Sequence, residues 1–419
     1  MSSSILKKFR EFATINPGQS PKSEFYSKTK GTPFLQGNRT FGLLYPTIDT
    51  YTTSVTKLAA KGEILMSVRA PVGDLNYAKN EVCIGRGVAS INAKDGDNKF
   101  LFYCLKYNIQ NLIRQGSGTT YDAVNKDIVN DFELIMPKSK NERELIGKTL
   151  SDLDAKIEFN NKINQELEAM AKLLYDYWFV QFDFPDVNGK PYKSSGGKIV
   201  WNGELKREIP EGWKVKELGK ILNTDLGGTP STKIDKFWGG NIPWLNSGEI
   251  ANFPIIEAEK LITYEAISKS ATTLMPSGTC VLSITRHLRP SILAIDACAN
   301  QSVVGIFESE KHKYSYIYPY LKNEIPRLMT LRSGAQQPHI NKGTVDESLM
   351  IEPSSEILKE YYKKANSAYK QIINNSFQNQ KLSKLRDWLL PMLMNGQVTI
   401  GEAEEKLGMV TEAGEKYGA

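Results

Sequence analysis

Gly62 to Pro71 reads GEILMSVRAP, and Gly278 to Pro290 reads GTCVLSITRHLRP. Working outward from these two stretches, one spacing recurs. Ser117-Gly118 is echoed by Ser333-Gly334, Asn125-Lys126 by Asn341-Lys342 and Pro137 by Pro353, and each pair differs by 216. A fixed period of this kind is the mark of an internal duplication, and it constrains the fold before any single element is assigned. Two copies of one domain imply two similar tasks performed at a fixed separation.

Between the copies the texture of the chain changes. From about Asn141 to Gln181 there is almost no Gly or Pro, and a seam runs in alternating steps of four and three through Ile146, Leu150, Leu153, Ile157, Asn160, Asn164, Leu167, Ala171, Leu174 and Trp178. This is coiled-coil spacing. A second seam, within a helix expected from Ser355 to Leu390, passes through Tyr361, Ala365, Ala368, Ile372, Asn375, Asn379, Leu382, Arg386 and Leu389. Pro391 and Gly396 are expected to stop it. Its first eight members sit 215 after members of the first seam. Each seam carries two Asn among apolar residues, and a buried amide fixes register because it must find a partner. In an antiparallel pair Asn160 faces Asn379, and Asn164 faces Asn375.

The expected fold class is therefore α+β: two mixed α/β heads separated by two long antiparallel coiled-coil helices, with an internal pseudo-two-fold repeat. The expected segments are 1–139 for the first head, 140–183 for the central helix, 184–209 for a linker loop, 210–354 for the second head, 355–396 for the C-terminal helix and 397–419 for a tail. Within the first head, strands are expected at Leu43-Tyr45, Glu63-Val68, Val88-Ile91 and Phe132-Met136, with a helix near Lys99-Arg114. In the second, Gly278-Ile284 and Val303-Phe307 read as strands. About 40 helical residues span roughly 60 Å, the length of about 15–18 base pairs of B-DNA. Heads so spaced suit two half-sites with an unread gap.

Length and composition fit a cytoplasmic protein of several domains: 419 residues, 40% hydrophobic and 24% charged, with a net charge of +6 that permits a polyanionic partner. No apolar run approaches the roughly 20 residues of a membrane span, and MSSSILKKFR does not read as a signal peptide. Four cysteines without a CxxC pair and three histidines argue against a zinc site, and the cysteines read as buried free thiols in a reducing compartment. There is no Walker A, HExxH or GxSxG, and no Asn-Pro-Pro-aromatic tetrapeptide. Pro185-Asp186 followed by Glu204-Leu205-Lys206 matches a loose nuclease pattern that would hold Mg²⁺, but the segments flank a Gly/Ser/Lys loop, and solvated linker charges are the plainer reading. Neither a catalytic residue nor a cofactor or metal site is expected in this chain.

What remains is a set of polar loops suited to double-stranded DNA. The first copy offers Arg69, Arg86, Arg114, Ser117, Thr119, Thr120, Tyr121, Asn125 and Lys126. The second offers Thr229, Ser231, Lys233, Arg286, His287, Arg289, Asn300, Gln301, Arg332, Ser333, Gln336, Gln337, His339, Asn341 and Lys342. Arg, Gln, Asn, Ser and Thr fit base edges and phosphates. The copies share the Ser-Gly and Asn-Lys frame but differ between them, TTYDAV against AQQPHI. A common scaffold with divergent loop contents is what reading two different short sequences requires. The alternative is a two-headed scaffold for protein or RNA, which sequence-indifferent binding would favour.

The chain resembles the specificity subunit of type I restriction-modification systems. The residues that carry the likeness are Pro210-Glu-Gly-Trp213, Gly227-Gly-Thr-Pro-Ser-Thr232, Trp238-Gly-Gly-Asn-Ile-Pro-Trp-Leu-Asn-Ser-Gly-Glu249, Leu173-Leu-Tyr-Asp-Tyr-Trp-Phe-Val-Gln-Phe182, Lys193-Ser-Ser-Gly-Gly197 and Leu385-Arg-Asp-Trp-Leu-Leu-Pro-Met-Leu-Met-Asn-Gly396. In the first copy Pro33-Phe-Leu-Gln-Gly37 stands for Pro243-Trp-Leu-Asn-Ser247 at an offset of 210. The resemblance implies two target-recognition domains, a bipartite DNA site and no catalysis by the chain itself. It also implies two adenine-N6 methyltransferase subunits using S-adenosylmethionine, joined in some complexes by restriction subunits that use ATP and Mg²⁺.

Overall fold

The computed structural model describes residues 4–116, 124–334, 336–399 and 401–402. It divides into two compact units, residues 1–160 with 378–419 and residues 161–377. The boundary cuts both long helices. Each half of each helix is packed into the core of one head.

In the first unit a four-stranded antiparallel sheet runs in the order Ala13–Pro17, Val88–Ala93, Ile64–Ser67 and Leu75–Tyr77. In the second, the same order is made by Thr224–Leu226, Val303–Ile306, Cys280–Ser283 and Arg289–Ile292. The strands Ile64–Ser67 and Cys280–Ser283 are buried along their whole length, as an apolar strand covered on both faces must be. Beside each sheet lies a parallel pair: Phe34 opposite Cys83 in one copy, Trp244 opposite Cys298 in the other. Each head is closed by a two-stranded ladder, Ser4–Lys8 with Glu133–Pro137 and Lys214–Glu217 with Leu349–Glu352. The repeat offset is 210 at Phe34 and Trp244 but 216 at Gly62 and Gly278, so the second copy carries six more residues between these points. Leu43–Tyr45, which reads as a strand, is a bend, because Leu44 spends its carbonyl on the Tyr77 N–H rather than on a ladder.

The central α-helix is Lys140–Tyr175, continued by a π-helical turn, Asp176–Val180. The C-terminal helix is Ser355–Met394. Pro391 does not stop it, since a proline this near the end forfeits one backbone bond while the apolar Leu393 and Met394 stay buried behind it. Gly396, at φ +67, ends the helix instead. In the first unit Ile146, Leu150, Leu153 and Ile157 share one core with Leu382, Leu389 and Leu393. Within the second, Ala171, Tyr175 and Trp178 share a core with Tyr361, Ala365, Ala368 and Ile372. Asn160 donates to Asn379 Oδ1 at 2.9 Å in the first unit, and Asn375 donates to Asn164 Oδ1 at 2.8 Å in the second. As one number rises the partner's falls, so the helices are antiparallel.

The segment from Asp183 to Trp213 is no slack linker. The Asp183 carboxylate accepts from the Ser194 N–H and hydroxyl, Phe184 stacks between Tyr192 and Trp213, and Ile199–Asn202 pairs with Arg207–Pro210. Its aromatic residues supply the apolar area that its Gly and Ser lack.

A charge sits in the first unit's seam. Arg386 and Asp154 are buried and ion-paired, and the Tyr103 hydroxyl donates to the other Asp154 oxygen at 2.8 Å. Removing one partner of such a pair strands the other charge. Arg386→Leu is expected to cost about 3–5 kcal/mol in denaturant unfolding, and adding Asp154→Leu to recover much of that loss.

Candidate nucleic-acid interface

In both heads the strand after the repeated glycine ends in a serine that ties the following loop. The Ser67 hydroxyl donates to Pro71 O at 2.8 Å and accepts from the Asp74 N–H at 2.9 Å. The Ser283 hydroxyl donates to His287 O at 2.6 Å and accepts from the Arg289 N–H at 3.1 Å. Sequence reasoning missed these serines, although their spacing of 216 was there to be read. Each loop so formed is flanked by the same two segments. In the first head Val68 donates to Gly87 O and accepts from the Val124 N–H; in the second Ile284 donates to Ser302 O and accepts from the Ile340 N–H. Three loops therefore meet at one end of each main sheet.

A fourth segment joins them. Gly18 N–H bonds Val88 O in the first head and Gly227 N–H bonds Val303 O in the second. A Cβ on Gly18 would lie 2.3 Å from Gly85 O, and one on Gly227 would lie 2.2 Å from Asn300 O. No other residue lets the backbones approach this closely. The glycines opening the GGTP stretch thus serve packing, while Thr229 beyond them donates to Gln301 Oε1 at 2.6 Å.

The candidate side chains are sorted by these contacts. Arg69 and Arg86 lie next to the Val68–Gly87 hydrogen bond of the first head, and Arg286, His287 and Arg289 belong to one loop of the second. Among the described residues Arg69, Arg86, Arg286 and Arg289 are exposed and have no carboxylate partner. Ser333 and His339 exchange backbone hydrogen bonds of 2.9 Å each, which sets the exposed Gln336 and Gln337 at the tip of a short ribbon. The His339 ring nitrogen Nδ1 lies 3.0 Å from Gln337 O. Arg114 and Lys126 are exposed at the ends of their helices. Ser231 and Lys233 sit one turn beyond Thr229, beside Trp238, whose indole donates to Ser231 O at 3.2 Å. Ser117, Thr119, Thr120 and Tyr121 lie outside the described residues.

Four expected contacts have local work instead. The Asn125 carboxamide oxygen accepts from the Asp127 and Ile128 N–H groups, capping the helix Lys126–Asp131. Asn341 accepts from the Thr344 N–H and caps Lys342–Asp346. The shared Asn-Lys frame is thus an N-cap followed by its helix, and Asn is among the preferred residues there. Lys342 is ion-paired with Asp346 at 2.7 Å. Arg332 donates to two backbone carbonyls, Met329 O at 3.1 Å and Arg286 O at 2.7 Å.

The nuclease pattern is not assembled. Asp186 Oδ1 accepts from the Asn188 and Lys190 N–H groups of its own turn, and no cluster of three or more potential metal ligands occurs among the described residues. All four cysteines are buried free thiols; burial pushes Cys104 up to about 12 and Cys298 up to about 11. His312 is pushed down to about 4 by burial and by Lys311. No helix among the described residues is long and apolar enough to cross a membrane.

The model of the family described as "Type I restriction modification DNA specificity domain" matches twice, over residues 5–169 and 210–376. The MjaIX type I restriction enzyme specificity subunit of Methanocaldococcus jannaschii is 27% identical over 354 residues, covering 83% of this chain and 80% of that protein. The HindI specificity subunit of Haemophilus influenzae is 25% identical over 405 residues, covering 82% and 88%. The crystal structure of a type I restriction-modification S subunit from M. genitalium superposes with a TM-score of 0.62 at 15% identity, covering 94% of this chain and 96% of that one.

Capping predicts a separable phenotype. Asn341→Ala is expected to cost about 1 kcal/mol of unfolding free energy and to leave the salt dependence of duplex binding unchanged. Arg289→Ala, if it removes a phosphate contact, lowers the slope of log K against log salt by about 1 with little effect on stability.

Proposed function

Because the chain belongs to the type I restriction modification DNA specificity family, we propose that it reads a bipartite duplex DNA site, one half-site per head. The observation that carries this is the pair of equivalent loop clusters, each at the same end of the same sheet and each presenting different exposed side chains on a shared frame. Arg286, His287, Gln336, Gln337 and His339 serve the second head; Arg69 and Arg86 serve the first, together with Ser117, Thr119, Thr120 and Tyr121, which precede Asn125 in sequence. The chain carries out no chemistry. Methyl transfer from S-adenosylmethionine belongs to two methyltransferase subunits, and ATP- and Mg²⁺-dependent cutting to restriction subunits where these join. Such a complex works in the cytoplasm, where the four thiols stay reduced.

The methyltransferases dock on the outer faces of the long helices. The polar positions Glu142, Arg143, Glu166, Glu168, Lys381 and Lys384 on these helices offer one platform, but two of them are turned inward. Arg143 is held by Pro137 O, Lys138 O and Asp95, and Glu168 accepts from Tyr318 and Lys322. An apolar stripe is the stronger candidate. In the second unit Met170, Leu173, Tyr177 and Val180 follow the four-and-three spacing of a seam, yet Leu173 is 67% and Met170 56% exposed. That spacing suits a helix of a partner laid along it.

Two experiments test the reading. Selection from a randomised duplex library is expected to return two short constant blocks with a gap of fixed length, and Gln336→Ala, Gln337→Ala or His339→Ala to relax one block only, each true base contact costing about 1–3 kcal/mol. Recovery of unrelated sequences would favour a scaffold. In coexpression pull-downs Met170→Glu with Leu173→Glu is expected to abolish capture of the methyltransferase, whereas undiminished capture would remove the stripe from consideration.

A further inference from the structure

Arg286 adopts φ +56, the left-handed region where Cβ crowds the following carbonyl. A non-glycine residue persists there only when its surroundings hold it, and such residues gather at functional positions. Here the hold is explicit. Its N–H donates to Pro338 O at 2.8 Å, and its carbonyl accepts from Arg332 Nη1 at 2.7 Å. Arg332 is itself anchored through Nε to Met329 O, at the end of the helix Tyr314–Thr330. The residue before Arg286 completes the clamp, since Thr285 bridges His339. Beyond the clamp, the side chains of Arg286 and His287 are exposed.

The device is confined to the second copy. At the positions 216 residues earlier stand Ala70 for Arg286 and Gly116 for Arg332, and neither has a side-chain donor with which to bond DNA or brace a loop. The two arginines are thus present together in one head and absent together from the other, although the strand, the serine tie and the flanking loops are common to both.

We infer that Arg332 is a positioning residue for recognition by the second head: its guanidinium bridges the helix end to the Arg286 carbonyl, holding Arg286 left-handed so that Arg286 and His287 face the half-site. This rests on the DNA reading of this head. Arg332 acts through Arg286, since two of its five donors are committed to carbonyls in a fixed planar fork. Lysine, a point charge on a flexible stem, does not span both. Arg286 and Arg332 therefore form one specificity unit, and a loop transplanted without both does not carry its preference with it.

The test is a double-mutant cycle on the full chain bound to its methyltransferase subunits, with Arg332→Ala, Arg332→Lys, Arg286→Gly and the double variant Arg286→Gly/Arg332→Ala. Binding is measured on duplexes altered in one half-site or the other, and amide exchange is followed across residues 284–288 and 333–340. Arg332→Ala is expected to lose about tenfold in discrimination at one half-site and none at the other, to speed exchange in both segments, and not to be rescued by lysine. In the Arg286→Gly background it should add no more than about twofold, since glycine enters the left-handed region unaided. Additive losses, or full function with lysine, would overturn the inference by making Arg332 an independent charge contact. Faster exchange with discrimination intact at both half-sites would overturn the positioning role and, separately, remove this loop from DNA reading. Unchanged exchange together with lost discrimination would mean that Arg332 does not brace the loop.

Discussion

Two amide pairs within an apolar seam decide which residues of the long helices face each other. Asn160 meets Asn379 and Asn164 meets Asn375. A slip of one heptad would set Asn160 against Ile372 or Arg386 and Asn164 against Ala368 or Leu382 in place of their amide partners, and an unsatisfied buried polar group costs about 1–3 kcal/mol. An all-leucine seam would bind more tightly and specify less. The Asp154–Arg386 pair acts in the same way within the first unit, because a buried charge tolerates no register but the one that neutralises it. Everything else hangs from that alignment, since each head builds its core on its own half of both helices.

With the frame fixed, recognition is left to segments that the frame does not need. Strand order, the serine ties, the close-packed Gly18 and Gly227 and the capping Asn125 and Asn341 are common to the two heads. The exposed residues between them are not. A side chain that holds the backbone cannot change without cost to the fold, whereas Gln336, Gln337 and His287 carry no such duty and are free to differ. Arg332 stands on the border between the classes: half-buried and bonded to two backbone carbonyls, yet acting on a loop residue, Arg286, held in the left-handed region.

Much of this was legible in the primary sequence, for physical reasons. Long-range repeats and seven-residue periodicity survive as patterns, so the duplication, both helices and the asparagine partners followed from spacing. Side-chain commitments did not. Asn125, Asn341 and Arg332 have the chemistry of DNA contacts, and only the geometry of a helix start or a bent loop shows which of their polar atoms are already used. Pro391 was expected to end a helix because its missing N–H is visible in sequence, whereas the burial of Leu393 and Met394 beyond it is not. Asp183 to Trp213 reads as a linker by composition, since stacking of Phe184 on Tyr192 and Trp213 depends on contacts across 29 residues. Exposure of Leu173 and Met170 was equally hidden, because periodicity reports an apolar face without saying what covers it.

The central claim is that this chain chooses where a methyltransferase acts, by reading two half-sites at a fixed spacing. Mapping methylated adenines across the host genome by single-molecule sequencing, with the gene intact and deleted, tests it most directly. The account predicts that methylation at one bipartite motif with a constant gap disappears on deletion and returns with the gene. A map unchanged by deletion, in cells where the methyltransferase is expressed and active, would contradict it.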